Sequence, residues 1–285
     1  MRTEHLSRPP RLAGSYAAAL LPRRSRGEAP PDRVLELDSA PTDPARLAEY
    51  CRLCGFVLDG NLPSPFPHLL GFPLQARLMA AGDFPFRLPG LVHLRQRIEQ
   101  RRPIGAGEAP SVAVRAERLR AHRRGACIDL VTELWAAGEP VWRGRSTYLA
   151  KGAAAPGVPV EPAPPPEVPP GHPVARWRVE AETARRYARV SGDMNPIHLN
   201  PAAARLFGFP GTIAHGMWAA ARCAGTVAGR LPPAHALDVT FRKPVRLPGT
   251  VELASAHDAD EWRLALRMAG SDQASVVATA RPFRT

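Results

Sequence analysis

The segment Tyr187-Ala-Arg-Val-Ser-Gly-Asp-Met-Asn-Pro-Ile-His198 places a carboxylate, an amide and an imidazole within six residues of one another. These groups are the side chains of Asp193, Asn195 and His198. An aspartate and a histidine together can donate and accept protons near neutral pH. The segment therefore indicates an enzyme that moves protons.

The residues before and within this segment predict a helix followed by a loop. Glu182–Ser191 has helical periodicity, and Gly192 is expected to end that helix because glycine adopts the left-handed backbone of a C-cap. Pro196 disfavours helical backbone at the residue before it, so we predict that Asp193–His198 is a loop. Side chains on one loop can converge on a reacting group.

Farther along the chain, a short helix is predicted at Pro201–Phe207, a turn at Gly208–Gly211, and the start of the main buried helix at His215-Gly216-Met217. A helix N-terminus presents unpaired N–H groups and partial positive charge, and a glycine there permits close approach. This arrangement stabilises a carbonyl oxygen that gains negative charge. Together with an Asp/His pair, it matches proton transfer beside a polarised carbonyl, with addition or loss of water.

Each of these residues also has a simpler interpretation. Asp193 could cap a helix, and His198 could be a histidine satisfied within a turn. A metal site made of Asp193, His198 and His215 has no usual ligand spacing, so no metal is expected. Ser191 lacks the G-x-S-x-G setting of a nucleophile. The conjunction with the downstream helix start favours the catalytic interpretation.

The two halves of the chain resemble each other. Leu47–Gly55 and Ala184–Gly192 both have helical periodicity and share Tyr, Arg and Gly in register. Phe72–Gly82 and His215–Gly225 both predict apolar helices that end at glycine. Each half continues into runs of alternating or β-branched residues that predict antiparallel strands. These runs are Ser111–Arg115, Ala126–Trp135, Val141–Leu149, Val251–Ala256, Trp262–Met268 and Ser275–Arg281. The predicted fold class is α+β, with the sheet of each half wrapped on one long apolar helix.

A proline-rich stretch divides the chain. Half of the residues in Pro156–Pro173 are proline, which predicts an extended linker over residues 151–173. The predicted domains are residues 1–150, with a flexible segment at 1–30, and residues 174–285. Both lengths are usual for domains.

Composition excludes several other classes of protein. The chain of 285 residues has a formal net charge of +12, but no run of five basic residues, so we expect a solvated arginine-rich surface rather than a nucleic-acid site. No stretch approaches the ~20 apolar residues of a membrane span, and no secretory signal is recognised, so a cytoplasmic protein is expected. Cys51 and Cys54 form a lone C-x-x-C, which predicts two buried thiols rather than half of a zinc or redox site.

The central segment resembles the signature of the MaoC-like dehydratases, also called (R)-specific enoyl-CoA hydratases. The matching residues are Tyr187, Ser191, Gly192, Asp193, Asn195, Pro196, Ile197 and His198, followed by Ile213-Ala-His-Gly-Met217. In the first half, Phe66–Leu74 and Gly90–His93 resemble the degenerate amino-terminal half of the double-hotdog members. The resemblance covers most of residues 45–285.

This resemblance implies a double hotdog, in which one chain mimics a dimer and an acyl thioester threads between the halves. Asp193 and His198 would hold the reacting water and shuttle protons as a coupled pair, and which of them protonates the α-carbon is left open. Asn195 would order the loop and orient the water. The N–H of Gly216 would bind the thioester carbonyl. No cofactor is implied beyond the coenzyme A or phosphopantetheine arm of the substrate.

Contacts with the substrate are also expected from four further residues. His215 and Met217 stand at the start of the buried helix, and Arg242 and Lys243 are expected on the strand after it, where they could meet phosphates. An acyl-CoA hydratase is the leading function. The alternatives are a dehydratase acting on acyl carrier protein and a non-catalytic acyl-thioester binder or architectural subunit. A homodimer is the assembly considered.

The first half departs from the signature at the positions that matter chemically. Phe56 stands where Asp193 would, and Asn61 where His198 would, so neither can perform acid–base work. His68 and His93 remain, and we interpret both as structural or as lining the pocket. One active site per chain is therefore predicted.

Overall fold

The computed structural model describes residues 1–12, 29–88, 90–159, 167 and 172–283. The chain forms two compact units, each of which is built from three separate stretches of the chain. The first unit comprises Met1–Thr42, Pro67–Gln96 and Gly107–Pro164, and the second comprises Asp43–Phe66, Arg97–Ala106 and Pro165–Thr285. Residues 43–66, from the first half of the chain, thus belong to the unit that carries the central segment. The predicted division at residues 151–173 stays a prediction, and much of that stretch lies outside the described residues.

The first unit contains one sheet and one long helix. Its strands are β1 (Arg2–Leu6), β2 (Arg33–Leu37), β3 (Leu91–Gln100, of which the first six residues belong here), β4 (Ser111–His122), β5 (Gly125–Ala136) and β6 (Glu139–Lys151), in the order β1-β2-β4-β5-β6-β3. Strands β1 and β2 pair in parallel, whereas β2, β4, β5 and β6 pair antiparallel.

The helix of the first unit, Pro67–Met79, contacts β2, β4 and β5. A Cβ on its Gly71 would lie 2.4 Å from Thr132 Cγ2, so glycine permits the helix to approach the sheet. At the same contact, Gln75 Nε2 donates a hydrogen bond of 2.9 Å to Thr132 Oγ1. The helix lies directly on β5 at this point.

The second unit contains the antiparallel order β8-β11-β10-β9-β7. These strands are β7 (Ala175–Val179), β8 (His235–Phe241), β9 (Gly249–Asp258), β10 (Glu261–Met268) and β11 (Ala274–Pro282). The helix Gly216–Gly225 contacts β8, β10 and β11 and buries nearly all of its side chains. That burial explains why the run is apolar on every face.

The α-helices of the described residues, including the two above, are numbered in chain order as α1 (Pro44–Cys54), α2 (Pro67–Met79), α3 (Ala181–Ser191), α4 (Pro196–Leu199), α5 (Pro201–Leu206) and α6 (Gly216–Gly225). Helices α1 and α3 each have 11 residues and end at glycines with left-handed backbone, Gly55 (φ 77°) and Gly192 (φ 79°). They contact each other within the second unit, where Glu49 pairs with Arg186, 137 positions away. The repeat predicted at this helix and its cap is confirmed.

Other predicted elements agree in kind but differ at their ends. All six predicted strands are present, each extended by the structure. Four strands were not predicted, namely β1, β2, β3 and β7, and β8 was expected only as the strand after the buried helix, without bounds. Helix α2 begins five residues before its predicted start at Phe72, because Pro73 lies inside the helix instead of limiting its start. The helix ends at Met79 rather than at Gly82.

Two further predictions concern the ends and the thiols of the chain. The flexible segment predicted at residues 1–30 contains strand β1, and its residues 13–28 lie outside the described part. Cys51 and Cys54 are buried free thiols, as predicted. Within the described part of the chain, the helices are too short or too polar to cross a membrane.

Candidate active site

The end of helix α3 sets the position of Asp193. The N–H of Gly192 donates to Ala188 O at 2.8 Å and closes the helix, after which the N–H of Asp193 donates to Ser191 Oγ at 3.1 Å. The Asp193 side chain retains 28% exposure. A partly accessible carboxylate therefore stands directly beyond a rigid helix end.

Asn195 begins a short helix rather than continuing a loop. Its backbone N–H donates to Asp193 Oδ1 at 3.2 Å, and its own Oδ1 accepts the N–H of Ile197 at 3.3 Å. Pro196 occupies the first turn of α4, where its lack of an N–H costs nothing. The predicted loop is therefore wrong from Pro196 onward, although Asn195 itself is outside the helix as expected.

His198 is buried at the end of this short helix, with 7% exposure. Its Nδ1 lies 2.8 Å from Ile213 O, and because a carbonyl oxygen only accepts, Nδ1 carries the proton. Nε2 is then left with a lone pair. Burial lowers the pKa of His198, against the opposing effects of the Asp193 charge and the bond to Ile213. The ring is thus a neutral base at neutral pH.

His215 lies against both catalytic candidates. Its Nε2 donates to Asp193 O at 2.9 Å, and its ring stacks on that of His198 with centroids 3.7 Å apart. Burial first, and then the neighbouring His198, lower the pKa of His215 to about 3. His215 is therefore uncharged and fixes the backbone of Asp193. Its predicted contact with substrate stays a prediction.

Helix α6 begins at Gly216, directly after His215. The N–H of a first helical residue has no partner within the helix. A Cβ on Gly216 would lie 3.2 Å from two ring carbons of Phe241, so the position has no room for a side chain without movement. Met217 is buried at the next position.

Sequence reasoning assigned no role to Tyr187, although it noted this residue in the repeat. The Tyr187 ring is 1% exposed and lies 5.0 Å from the ring of His215 and 6.2 Å from that of Tyr50. Tyr50 is its counterpart in the first half. The shared tyrosine of the two halves was the signal that these helices pack together beneath the site.

Asp193, His198 and His215 also form a group of possible metal ligands, with one ligand atom of each within 4.8 Å of the others. The two imidazoles are stacked, so their lone pairs lie in nearly parallel planes instead of converging on one point. Each ring also donates one N–H to a backbone carbonyl. This geometry favours proton transfer over metal binding, and the expected absence of a metal stays a prediction.

Arg242 and Lys243 lie just beyond the end of β8 rather than on the strand. Their backbone N–H groups donate to Ser275 O at 2.9 and 3.3 Å, and both side chains are exposed. Among the described residues, neither side chain forms a salt bridge with an acidic group. Both cations are available to an anionic ligand.

The corresponding positions of the first half have other contacts. Phe56 stacks on Tyr50, with ring centroids 6.2 Å apart, and the N–H of Asn61 donates to Asp59 Oδ1. In the first unit, His68 is buried and its ring lies 6.2 Å from that of His93, which stacks on Tyr148. These rings pack in the interior of that unit.

Comparison with known proteins identifies a family and a relative for this chain. The family described as MaoC like domain matches residues 160–277. The 3-hydroxyacyl-thioester dehydratase X of Mycobacterium tuberculosis is 40% identical over 269 residues, which cover 93% of this chain and 95% of that protein.

The chain belongs to the MaoC-like dehydratase family. A crystal structure of HtdX from M. tuberculosis covers 88% of this chain and 100% of its own, at 38% identity and a TM-score of 0.78. A MaoC-like dehydratase from Phytophthora capsici, at 16% identity, covers 90% of this chain and 97% of its own and shares the fold with a TM-score of 0.69. The predicted family, hotdog fold and hydro-lyase class are confirmed. As a MaoC-like hydratase or dehydratase, this chain acts on an acyl thioester.

Proposed function

We propose that this MaoC-like chain interconverts a 2-enoyl thioester and an (R)-3-hydroxyacyl thioester by reversible addition of water. The observation that carries the proposal is the state of His198. This base is neutral, its Nδ1–H is held by Ile213 O, and it stands beside the Asp193 loop. The name of the M. tuberculosis relative supports the same substrate class.

In the hydration direction, Asp193 and His198 hold the water. Its oxygen forms a bond to C3 while one of its protons passes to the pair, and the pair delivers a proton to C2. Loss of water reverses these transfers. Because the two groups are close and coupled, the proton belongs to the pair rather than to either residue. Asn195 fixes the loop by capping α4 and orients the water.

The N-terminus of α6 stabilises the charge that develops during this reaction. Addition at C3 moves electron density onto the thioester oxygen, which becomes enolate-like. The N–H of Gly216 donates to that oxygen, aided by the positive end of the helix dipole. His215 and Met217 flank this N–H and shape its surroundings.

Mixing the purified protein with crotonyl-CoA and following the loss of enoyl-thioester absorbance tests the proposal. We expect Asp193→Asn and His198→Gln each to lower kcat by about 10²–10⁴-fold, the usual contribution of a general acid or base. Asp59→Asn is the matched control, because Asp59 accepts the N–H of Asn61 as Asp193 accepts that of Asn195. This control should retain wild-type activity.

Three outcomes would contradict the proposal. Absence of turnover over a range of chain lengths would leave an acyl-thioester binder or an architectural subunit. Full activity in either site variant would refute the Asp/His mechanism. A product of (S) configuration would refute the stereochemical assignment.

The carrier of the acyl group is proposed to be anchored by phosphate contacts of Arg242 and Lys243. Crotonyl thioesters of coenzyme A, of acyl carrier protein and of pantetheine distinguish the sources of such a phosphate. We expect Arg242→Ala and Lys243→Ala to raise KM for a phosphorylated carrier and to leave kcat nearly unchanged, with no effect on crotonyl-pantetheine. An equal effect on all three substrates would exclude a phosphate contact.

A further inference from the structure

Helix α1 comes from the first half of the chain but packs in the second unit against α3 and α6. Its Arg46 reaches the end of α3, where Nε donates to Val190 O at 2.6 Å. Val190 lies in the last turn of α3, three residues before Asp193. A residue of the half without catalytic groups thus contacts the segment that leads into the active site.

The carbonyl groups at a helix end explain why a cation is stabilised at this contact. The last carbonyls of a helix lack partners within it and carry the negative end of the helix dipole, so a cation stabilises them. Burial lowers the pKa of Arg46, but a guanidinium remains charged in proteins. A partly buried charge requires hydrogen-bond partners, and Val190 O is one of them. Moving the end of α3 would therefore cost one of the bonds that satisfy this charge.

The same helix also contacts α6. Leu53 O accepts a hydrogen bond of 3.2 Å from Trp218 Nε1, and Trp218 lies two residues after Gly216. At the other end of α6, a Cβ on Gly225 would lie 2.6 Å from Cys54 O, so the two backbones approach closely. Helix α1 is therefore fixed both to the segment before Asp193 and to the helix whose N–H meets the thioester.

We propose that Arg46 is a positioning residue that holds Asp193 at its distance from the N-terminus of α6. The proposal rests on the function proposed above, since it concerns the same reacting groups. In this proposal Arg46 acts through Val190 and the loop that follows, not directly on the water or the thioester. Its loss should lower kcat and leave KM largely unchanged, because the geometry of the reaction changes while the binding surface remains.

Kinetics of Arg46→Met and Arg46→Lys test this proposal. We expect Arg46→Met to lower kcat by about 10–100-fold with less than about a threefold change in KM. Arg46→Lys should recover part of the activity because it keeps a positive donor at the helix end. It also preserves the test if the methionine variant fails to fold.

The matched control is Glu49→Gln, which removes a different charged contact between α1 and α3, the pair with Arg186. Thermal unfolding of all variants shows how far each destabilises the protein. If Glu49→Gln lowers kcat as much as Arg46→Met, any loosening of the helix pair suffices and the role of Arg46 is refuted.

A second readout does not depend on turnover. The ring nitrogens of His215 and His198 give side-chain NMR signals, and His215 donates to the backbone of Asp193. We expect Arg46→Met to shift these signals and Glu49→Gln to leave them in place. If the wild type shows no turnover, the proposed function fails while this measurement still decides the inference. Unchanged imidazole signals in Arg46→Met would overturn it.

Discussion

Acidification should destabilise the protein through His215. The pKa of His215 is lowered from its ordinary value of 6.5 to about 3 in the folded chain, mainly by burial. Below pH 6.5 the unfolded chain binds a proton that the folded chain refuses. The stability contributed by the neutral ring is therefore complete above pH 6.5 and is lost as the pH falls from about 6.5 toward about 3.

The size of this effect follows from linkage. One proton taken up on unfolding changes the free energy of unfolding by about 1.4 kcal/mol per pH unit. Between pH 8 and pH 5, His215 should therefore remove roughly 2 kcal/mol. His198 and His235 are also buried with lowered pKa values and add to the total acid sensitivity.

Urea unfolding at pH 8 and pH 5, for the wild type and His215→Gln, isolates the contribution of His215. Glutamine can keep the bond to Asp193 O but does not titrate, so the variant should lose roughly 2 kcal/mol less than the wild type over this range. The histidines that do not contact His215, such as His235, are common to both proteins and cancel in the comparison. An equal loss in both proteins would show that His215 is not the neutral, buried group described above.

Three further variants or treatments have expected outcomes. Gly216→Ala would place a Cβ 3.2 Å from the Phe241 ring, and the displaced helix start should lower kcat roughly tenfold, which corresponds to about 1.4 kcal/mol on the barrier. Adding Phe241→Leu to this variant should restore part of the lost kcat, and no recovery would exclude the clash. Asn195→Ala removes the cap of α4 and should lower the urea-derived free energy of unfolding by about 1 kcal/mol, whereas an unchanged value would show that the cap is dispensable. Burial raises the thiol pKa of Cys54 and raises that of Cys223 to about 12. Iodoacetamide should therefore alkylate neither thiol in the native protein at neutral pH, and labelling of either in the mass spectrum would contradict their burial.

Local sequence signals were sufficient where structure depends on neighbours along the chain. Helical periodicity and a terminal glycine predicted α1 and α3, because the left-handed backbone at Gly55 and Gly192 is a property of the glycines themselves. The same reasoning failed at Pro196. Its restriction on Asn195 was applied correctly, but the helix that proline can begin was not considered.

Elements that depend on distant partners were harder to predict. Strand β1, with the sequence RTEHL, has little apolar character and exists by pairing with β2, some thirty residues away. Strand β8 buries three consecutive residues at its start and so lacks the alternation that identifies a strand. Helix α2 continues through Pro73 because the burial of 11 of its 13 residues compensates for the lost hydrogen bond.

The site divides in the same way. Sequence motifs singled out Asp193, Asn195 and His198 as candidates, and these three lie within six consecutive residues. The stacking of His215 on His198 depends on the fold, since the two residues come from different elements. The contact between Arg46 and Val190 spans 144 positions and has no sequence signature. Motifs therefore predicted the candidate reacting groups, whereas the groups that contact and hold them required the structure.

The two repeats differ in their candidate catalytic residues but share the contacts made by their helices. The first copy has Phe56 and Asn61 in place of the aspartate and histidine, yet Tyr50 packs its ring near Tyr187, Glu49 pairs with Arg186, and Asp59 accepts the N–H of Asn61. Helix α1 packs against both α3 and α6 in the second unit, so it contributes to the interior of the unit that carries Asp193. The reaction proposed for the second copy should therefore depend on the folded form of the first, and loss of the contact between Arg46 and Val190 should reduce turnover by displacing the segment that leads to Asp193.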